Sequence, residues 1–291
     1  MPLNFNKVAV HCNEEFIQTY NLNENSNKQF YFSHANGFNG LTYQSLLKNI
    51  SKEFKVSTYD MRGHGDTTLK ADPTKLKSWH CFRDDLIFLI ENSNTPAILS
   101  GHSLGGTASW LVALSRPDLV EKLVLVDPVI LPLRYIFGYR LINFLNIAHL
   151  LNPLAKNTLI RRNEWKTKEE AYDYFAGKKL FSKVSREVLN DYVNHGLKND
   201  KNNNLALKCN PEWESACFQL NTNKEVWDGV EHLKMPIKII LTTNSTVCNK
   251  FSQNRIKKLA QQTEIVFIEN TTHMLPLEAS EEVSNEINKF L

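Results

Sequence analysis

Five consecutive residues have the types and spacing of a turn that presents a serine nucleophile. They are Gly101-His102-Ser103-Leu104-Gly105, between an apolar run at residues 96–100 and a helical pattern of small residues at 104–114. A nucleophilic serine needs its Oγ exposed on a sharp turn from strand to helix, and flanking glycines let the backbone crowd there. The helix N-terminus then offers free N–H groups to an oxyanion. The pattern favours Ser103 as a nucleophile, with an ordinary glycine-rich turn as the alternative.

A histidine and a second glycine-containing loop lie where the partners of such a serine belong. His273 follows the last predicted strand, so we expect it at the carboxyl edge of the sheet, where α/β proteins collect functional groups. This position favours a general base over a structural histidine. The loop at residues 33–40 follows the third predicted strand, and its glycines allow backbone N–H groups to face the serine. Together with the N–H of Leu104, this loop is predicted to form an oxyanion hole.

Short β-type runs alternate with helical stretches at both ends of the chain, which is the pattern of a mostly parallel sheet covered on both faces. The first two strands lie close enough to form a hairpin. The predicted strands are Val8–Val10, Glu15–Tyr20, Gln29–Ser33, Lys55–Tyr59, Ala97–Ser100, Lys122–Val126, Ile237–Leu241 and Glu264–Ile268. The predicted helices are Tyr43–Ser51, Trp79–Asn92, Leu104–Leu114, Phe251–Gln261 and Ala279–Leu291.

The middle of the chain, from about Val129 to Glu231, contains no run that predicts a strand. Helical patterns there are interrupted by an Asn/Lys-rich loop at residues 198–204, which we interpret as a solvated connection. Because strands resume at Pro236, a helical insertion into one sheet explains the order better than a separate helical domain. The clearest amphipathic stretch of this insertion, residues 133–145, is interpreted as a core-packing helix or as a wall of an acyl pocket; a membrane-surface helix is a further alternative, because basic and apolar residues mix there.

The composition argues against several other classes of protein. The 291 residues are 42% hydrophobic, and a net charge of +3 is spread along the chain, which is typical of a soluble globular protein and gives no basic stripe for nucleic acid. Five cysteines without a C-x-x-C pair favour a reducing compartment, and nine histidines show no metal-ligand spacing. No secretory signal or membrane-spanning run is recognised. We expect a cytoplasmic protein with no metal, no cofactor, no nucleic-acid partner and no stable membrane insertion. The sequence does not indicate the oligomeric state.

Several motifs resemble, in the same order, those of the α/β-hydrolase superfamily. They are His34-Ala35-Asn36-Gly37-Phe38, Asp60-Met61-Arg62-Gly63-His64-Gly65, residues 101–106, residues 123–128, and His273 with Pro276 and Glu278. The resemblance implies the α/β-hydrolase fold: an eight-stranded, mostly parallel sheet with one antiparallel strand, helices on both faces and a helical cap inserted after strand six. It divides the chain into a first part of the core (1–129), a cap (130–235) and a second part of the core (236–291).

The same resemblance implies roles for particular residues. Asn36 is the expected oxyanion donor of its loop, with Gly37 beside it as a further oxyanion or substrate-binding residue. The turn at residues 60–65 is usually structural in this family, and we expect the same here. Two segments of the cap, residues 161–165 and 209–214, are expected to hold the cap on the core.

The acid of the predicted triad departs from the commonest pattern of this family. Relatives usually carry an aspartate after strand seven, but no Asp or Glu occurs here between Glu231 and Glu264. A carboxylate is needed to hold the histidine tautomer and to stabilise the imidazolium. Asp127 ends strand six, from which some lipases and dehalogenases of the family take their acid. We predict a triad of Ser103, Asp127 and His273; the alternatives are an Asp-Pro that only starts a turn and a degraded triad.

These residues predict a serine hydrolase that cleaves a carboxylic ester with a small or medium, largely apolar acyl group through an acyl-serine intermediate. A serine at this turn argues against epoxide hydrolase and dehalogenase chemistry, because family members with those activities carry an aspartate there. Thioester, lactone, amide and carbon–carbon bond hydrolysis use the same residues and stay open. The missing strand-seven acid also leaves open a small-molecule binder or receptor without turnover. The expected partner is a small-molecule ester.

Overall fold

A large sheet forms the centre of the protein. The structure is a computed structural model that describes residues 5–50, 52–93, 95–144, 152–220 and 223–291. The side chains of residues 139–143 are not described. The strands are β1 (Asn6–Cys12), β2 (Glu15–Leu22), β3 (Lys28–Ser33), β4 (Phe54–Tyr59), β5 (Ala97–His102), β6 (Val120–Val126), β7 (Glu164–Trp165), β8 (Leu197–Asn199), β9 (Leu205–Leu207), β10 (Ile237–Thr242) and β11 (Thr263–Ile268). Within the described residues, eight of them form one sheet in the order β1-β2-β4-β3-β5-β6-β10-β11.

The prediction of a mostly parallel sheet with one antiparallel strand is confirmed. Strand β2 pairs antiparallel with both β1 and β4, and the remaining neighbours pair parallel. All eight predicted strands occur at their predicted places. The central strands are continuous apolar runs, such as residues 123–126, in which every side chain is buried, because helices cover the sheet on both faces.

The helices alternate with the parallel strands, as predicted. They are α1 (Gln44–Leu47), α2 (His80–Glu91), α3 (Leu104–Ser115), α4 (Leu133–Phe144), α5 (Pro153–Ile160), α6 (Lys168–Ala176), α7 (Arg186–Gly196), α8 (Pro211–Gln219), α9 (Lys250–Leu259), α10 (Leu275–Glu278) and α11 (Ser280–Asn288). Helix α1 is shorter than the predicted Tyr43–Ser51, because Gly40–Tyr43 forms a 3₁₀ turn and Ser51 lies outside the described residues. Among the helices of the described residues, none is long and apolar enough to cross a membrane.

The segment predicted as a helical cap, residues 130–235, contains α4 to α8 and also a small antiparallel sheet in the order β7-β9-β8. The prediction that this segment lacks strands is therefore wrong, because strands of two or three residues show too little alternation to be recognised. Of the predicted loop at residues 198–204, the first two residues belong to β8 and residues 200–204 form the turn to β9, in which Asp200 Oδ1 accepts two backbone N–H bonds at 2.8 Å. Residues 145–151, 221 and 222 of this segment lie outside the described residues.

Gly105 sets how closely α3 packs on β3, because a Cβ at this position would lie 2.2 Å from the carbonyl oxygen of Ser33. The contacted atoms belong to the backbone, so no side chain can rotate away. We expect Gly105→Ala to lower the free energy of unfolding by about 3 kcal/mol in urea titrations. Gly138→Ala is the control, because a Cβ there meets no described atom within 4 Å, and it should stabilise α4 by up to about 1 kcal/mol. Equal effects of the two substitutions would contradict this packing.

Candidate active site

Ser103 joins β5 to α3 with a strained backbone conformation. Its φ of 55° and ψ of −118° lie in a region that residues with a side chain rarely adopt. Neighbouring groups hold the turn: the Ser103 N–H donates to Val126 O at 3.1 Å, and its carbonyl accepts from Thr107 N–H at 2.9 Å. A Cβ on Gly101 would lie 2.6 Å from the carbonyl carbon of Gly105, so both glycines are required by close approach. The predicted sharp turn from strand to helix is therefore present.

The side chains of Asp127, His273 and Ser103 form one hydrogen-bonded chain. His273 Nδ1 lies 2.6 Å from Asp127 Oδ2, and His273 Nε2 lies 2.9 Å from Ser103 Oγ. Because the oxygen of an ionised carboxylate only accepts, Nδ1 carries the hydrogen, and Nε2 of the neutral ring accepts from the serine hydroxyl. The structure thus brings together the three residues that the sequence analysis selected for the triad.

Asp127 presents a buried carboxylate to this histidine. The residue follows β6 with a φ of 42°, and its N–H donates to Ile240 O at 2.8 Å. Its side chain is 1% exposed, and among the described residues Oδ1 has no hydrogen-bond partner. His273 is the side-chain hydrogen-bond partner of this buried carboxylate, which is therefore placed to stabilise an imidazolium that forms there during proton transfer. Burial, and secondly the charge of Asp127, raise the pKa of the Cys248 thiol, so this neighbour stays neutral.

Two backbone N–H groups beside the serine are free to bind an oxyanion. Within the residues that the structure describes, neither the N–H of Asn36 nor that of Leu104 donates to an acceptor. Their segments touch, because the Cα of Gly105 packs against the carbonyl oxygens of Ser33 and His34. These two N–H groups are the donors that the sequence predicts for an oxyanion, and that role stays a prediction.

Gly37 differs from the two free donors. Its N–H donates to His64 Nε2 at 3.0 Å, so it is not available to an oxyanion. This hydrogen bond uses the N–H that the predicted oxyanion role of Gly37 requires, and its predicted substrate-binding role stays a prediction. The positive φ of 79° at this glycine turns its amide towards the histidine, a geometry that the spacing of the motif does not reveal.

Two buried histidines, His34 and His64, hold the loops around the site. His34 Nε2 accepts from Met61 N–H at 2.9 Å, and His64 Nδ1 donates to Arg62 O at 3.0 Å. Burial lowers the pKa of His34 to about 4 and that of His64 to about 3, so both rings are neutral near pH 7. The turn at residues 60–65 therefore has the structural role that we expected. In the described part of the chain, no group of three His, Cys, Asp or Glu side chains could hold a metal ion.

Helix α8 attaches the predicted cap to both glycine-containing loops of the core. Trp213 Nε1 donates to Arg62 O at 3.0 Å, and Asn36 Nδ2 donates to Glu214 O at 3.0 Å. The Glu214 carboxylate is buried and forms two hydrogen bonds with the Arg161 guanidinium, one of them 3.2 Å long. Both segments are the expected attachments of the cap, but the sequence gives no signal for this ion pair beside the oxyanion loop, because residues 53 positions apart meet only through tertiary packing.

Comparisons with known proteins extend these observations. The family model described as "Serine aminopeptidase, S33" matches residues 26–280. The chain is 36% identical over 97 residues to the sn-1-specific diacylglycerol lipase ABHD11 of Mus musculus, and 32% identical over 97 residues to the (E)-2-((N-methylformamido)methylene)succinate hydrolase of Acinetobacter baylyi. Both matches cover 33% of the chain, and they span only 29% and 36% of the relatives. The solved structure of an E-2-(acetamidomethylene)succinate hydrolase has a TM-score of 0.79 at 16% identity over 98% of both chains, which shows a shared fold.

The neutral state of His64 in the folded protein has a measurable consequence for stability. Because burial lowers its pKa from 6.5 to about 3, the unfolded chain binds one more proton at this residue between those values, and stability falls as pH falls. His64→Gln should therefore make the loss of unfolding free energy from about pH 6 to about pH 4 shallower by about 1.4 kcal/mol per pH unit. Urea titrations across this range measure it, with the exposed His11→Gln as control. Parallel curves for His64→Gln and the wild type would show that the buried ring titrates normally.

Proposed function

We propose that this chain, which belongs to the serine aminopeptidase S33 family of α/β-hydrolases, is a serine hydrolase that cleaves carboxylic esters through an acyl-serine intermediate. The observation that carries the proposal is the hydrogen-bonded chain from Asp127 through His273 to Ser103, beside two free backbone N–H groups. These are the four parts that acyl transfer to a serine requires: nucleophile, base, acid and oxyanion donors.

In the proposed reaction, Ser103 Oγ attacks the ester carbonyl carbon while His273 Nε2 takes the hydroxyl proton. The carbonyl oxygen becomes an oxyanion, which the N–H groups of Asn36 and Leu104 bind. The intermediate collapses, the imidazolium returns the proton to the leaving alkoxide, and the acyl group stays on the serine. A water molecule then gives a proton to the same imidazole and attacks the acyl carbon. The second intermediate collapses, the imidazolium returns this proton to Ser103 Oγ, and the carboxylic acid is released. Asp127 holds the histidine tautomer and stabilises the imidazolium in both steps.

An uncharged, small or medium acyl group suits the surroundings of the oxyanion loop. Phe38 lies in this loop, with its ring centroid 5.3 Å from that of Tyr192 and 6.2 Å from that of Phe181. The charges of Arg161 and Glu214 beside the loop neutralise each other. Two relatives carry the names of a diacylglycerol lipase and a substituted-succinate hydrolase, so their substrates differ in charge. The paired charges on this chain favour the uncharged ester.

Labelling of the nucleophile and turnover of esters test the proposal together. We expect a fluorophosphonate probe to label Ser103 and short to medium p-nitrophenyl esters to release chromophore. Ser103→Ala should abolish both, because the nucleophilic oxygen is gone. Thioester, lactone and amide substrates assayed in parallel, with a β-diketone for carbon–carbon cleavage, identify the preferred bond. Absence of both labelling and turnover in the wild type would contradict the proposal, and tight ligand binding unchanged by Ser103→Ala would favour a receptor without turnover.

Asp127→Asn tests the displaced acid of the triad. The asparagine amide favours the wrong histidine tautomer and provides no negative charge, so kcat for the best ester should fall by ~10⁴-fold. Asp118→Asn, which changes an exposed aspartate paired with Arg116, is the matched control and should leave kcat unchanged. A loss of less than about tenfold in Asp127→Asn, at an unchanged melting temperature, would mean that the acid lies elsewhere or is absent.

A further inference from the structure

A second hydrogen-bonded chain, buried at Ala35, Tyr43 and His102, lies beside the triad. It connects the Ala35 N–H to the Tyr43 hydroxyl at 3.2 Å, the hydroxyl to His102 Nδ1 at 2.8 Å, and His102 Nε2 to the backbone carbonyl of His273 at 2.7 Å. We propose that His102 is a positioning residue that fixes the backbone of the base His273 and, through Tyr43, the oxyanion loop. This inference deepens the proposed serine hydrolase function and rests on it.

The two ends of this chain determine the direction of each hydrogen bond. A backbone N–H only donates, so the Tyr43 oxygen accepts from Ala35; a carbonyl only accepts, so His102 Nε2 carries a hydrogen towards His273. Burial lowers the pKa of His102 well below its ordinary value, so the ring is neutral and its Nδ1 is bare. Nδ1 therefore accepts from the Tyr43 hydroxyl. Only the tautomer with the hydrogen on Nε2 satisfies all three bonds.

The position of these bonds explains what they control. The carbonyl that His102 holds belongs to the residue whose ring bridges Asp127 and Ser103, so fixing this carbonyl fixes the backbone from which the ring projects. At the other end, Ala35 directly precedes Asn36, a proposed oxyanion donor. His102, which directly precedes Ser103, is thus hydrogen-bonded towards both the base His273 and the oxyanion loop. A preorganised site requires support of this kind for its catalytic groups.

Burial makes this chain hard to replace by water. The side chains of His102 and Tyr43 are both 0% exposed, and the ring centroids of Tyr43 and Phe32 are 4.9 Å apart. If one partner is removed, the other is left as an unpaired buried polar group. The loop of His273 would then relax to satisfy its carbonyl in another way, and a catalytic group displaced by about 1 Å can cost about 10²-fold in rate.

Two amide substitutions separate the two hydrogen bonds of His102. In His102→Gln, the longer side chain places its amide where the ring has Nε2, so it can still donate to the carbonyl of His273. In His102→Asn, the shorter side chain ends where the ring has Nδ1, so it keeps the contact with Tyr43 but does not reach that carbonyl. Each variant loses one of the two bonds, which makes them matched controls for stability.

We expect His102→Asn to lower kcat by about 10²-fold with KM unchanged, and His102→Gln to lose at least about tenfold less. The proton between His273 Nδ1 and Asp127 should give a low-field ¹H resonance that is retained in the Gln variant and lost in the Asn variant. The resonance does not depend on turnover. A wild type that hydrolyses no ester would therefore contradict the proposed function, while the resonance still decides this inference.

If both variants lose kcat equally, in proportion to their loss of melting temperature, His102 is only a packing residue and the inference is overturned. An unchanged resonance in His102→Asn would do the same. Should the Asn variant fail to fold, Tyr43→Phe removes only the hydroxyl and keeps the ring. It should retain the resonance but slow fluorophosphonate labelling, because Ala35 loses its acceptor beside the oxyanion loop. Labelling at the wild-type rate would contradict the link through Tyr43.

Discussion

The positive φ of Ser103 is the backbone constraint on which the rest of the site depends. The chain passes from strand β5 through Ser103, whose φ is 55°, directly into helix α3. This sharp turn is possible because Gly101 and Gly105 let the backbone segments come into contact. This turn places the serine side chain at the carboxyl edge of the sheet and leaves the Leu104 N–H free beside it. The other participants reach the same edge from the ends of β3, β6 and β11, so the parallel sheet assembles groups that are distant in sequence.

The sheet also explains how the proposed triad can take its acid from the end of β6. Strands β6 and β10 are parallel neighbours, and the Asp127 N–H donates to Ile240 O near the end of β10. Their carboxyl ends lie side by side, so a carboxylate on either strand can approach one imidazole. The loop after β10 carries no Asp or Glu, whereas Asp127 at the end of β6 lies 2.6 Å from His273 Nδ1.

The sequence predicted the parts that depend on local pattern. The eight strands of the large sheet are six to eight residues long, enough for an apolar or an alternating pattern to show, and the motif around Ser103 constrains its own geometry, so their positions follow from neighbouring residues. The strands β7 to β9 are too short for such a pattern, and the Arg161–Glu214 pair joins segments that meet only in the folded chain. The hydrogen bond from Gly37 to His64 likewise depends on how two loops pack. The cap boundaries at residues 130 and 235 remain predictions.

The nucleophilic role of Ser103 is tested most directly by trapping its acyl intermediate. Wild-type protein is mixed with a p-nitrophenyl ester, quenched during the initial burst of chromophore, digested and analysed by mass spectrometry. The peptide that contains Ser103 should carry one acyl group, in an amount that matches the burst. An acyl group on any other residue, or a burst with no acylated peptide, would contradict the assignment.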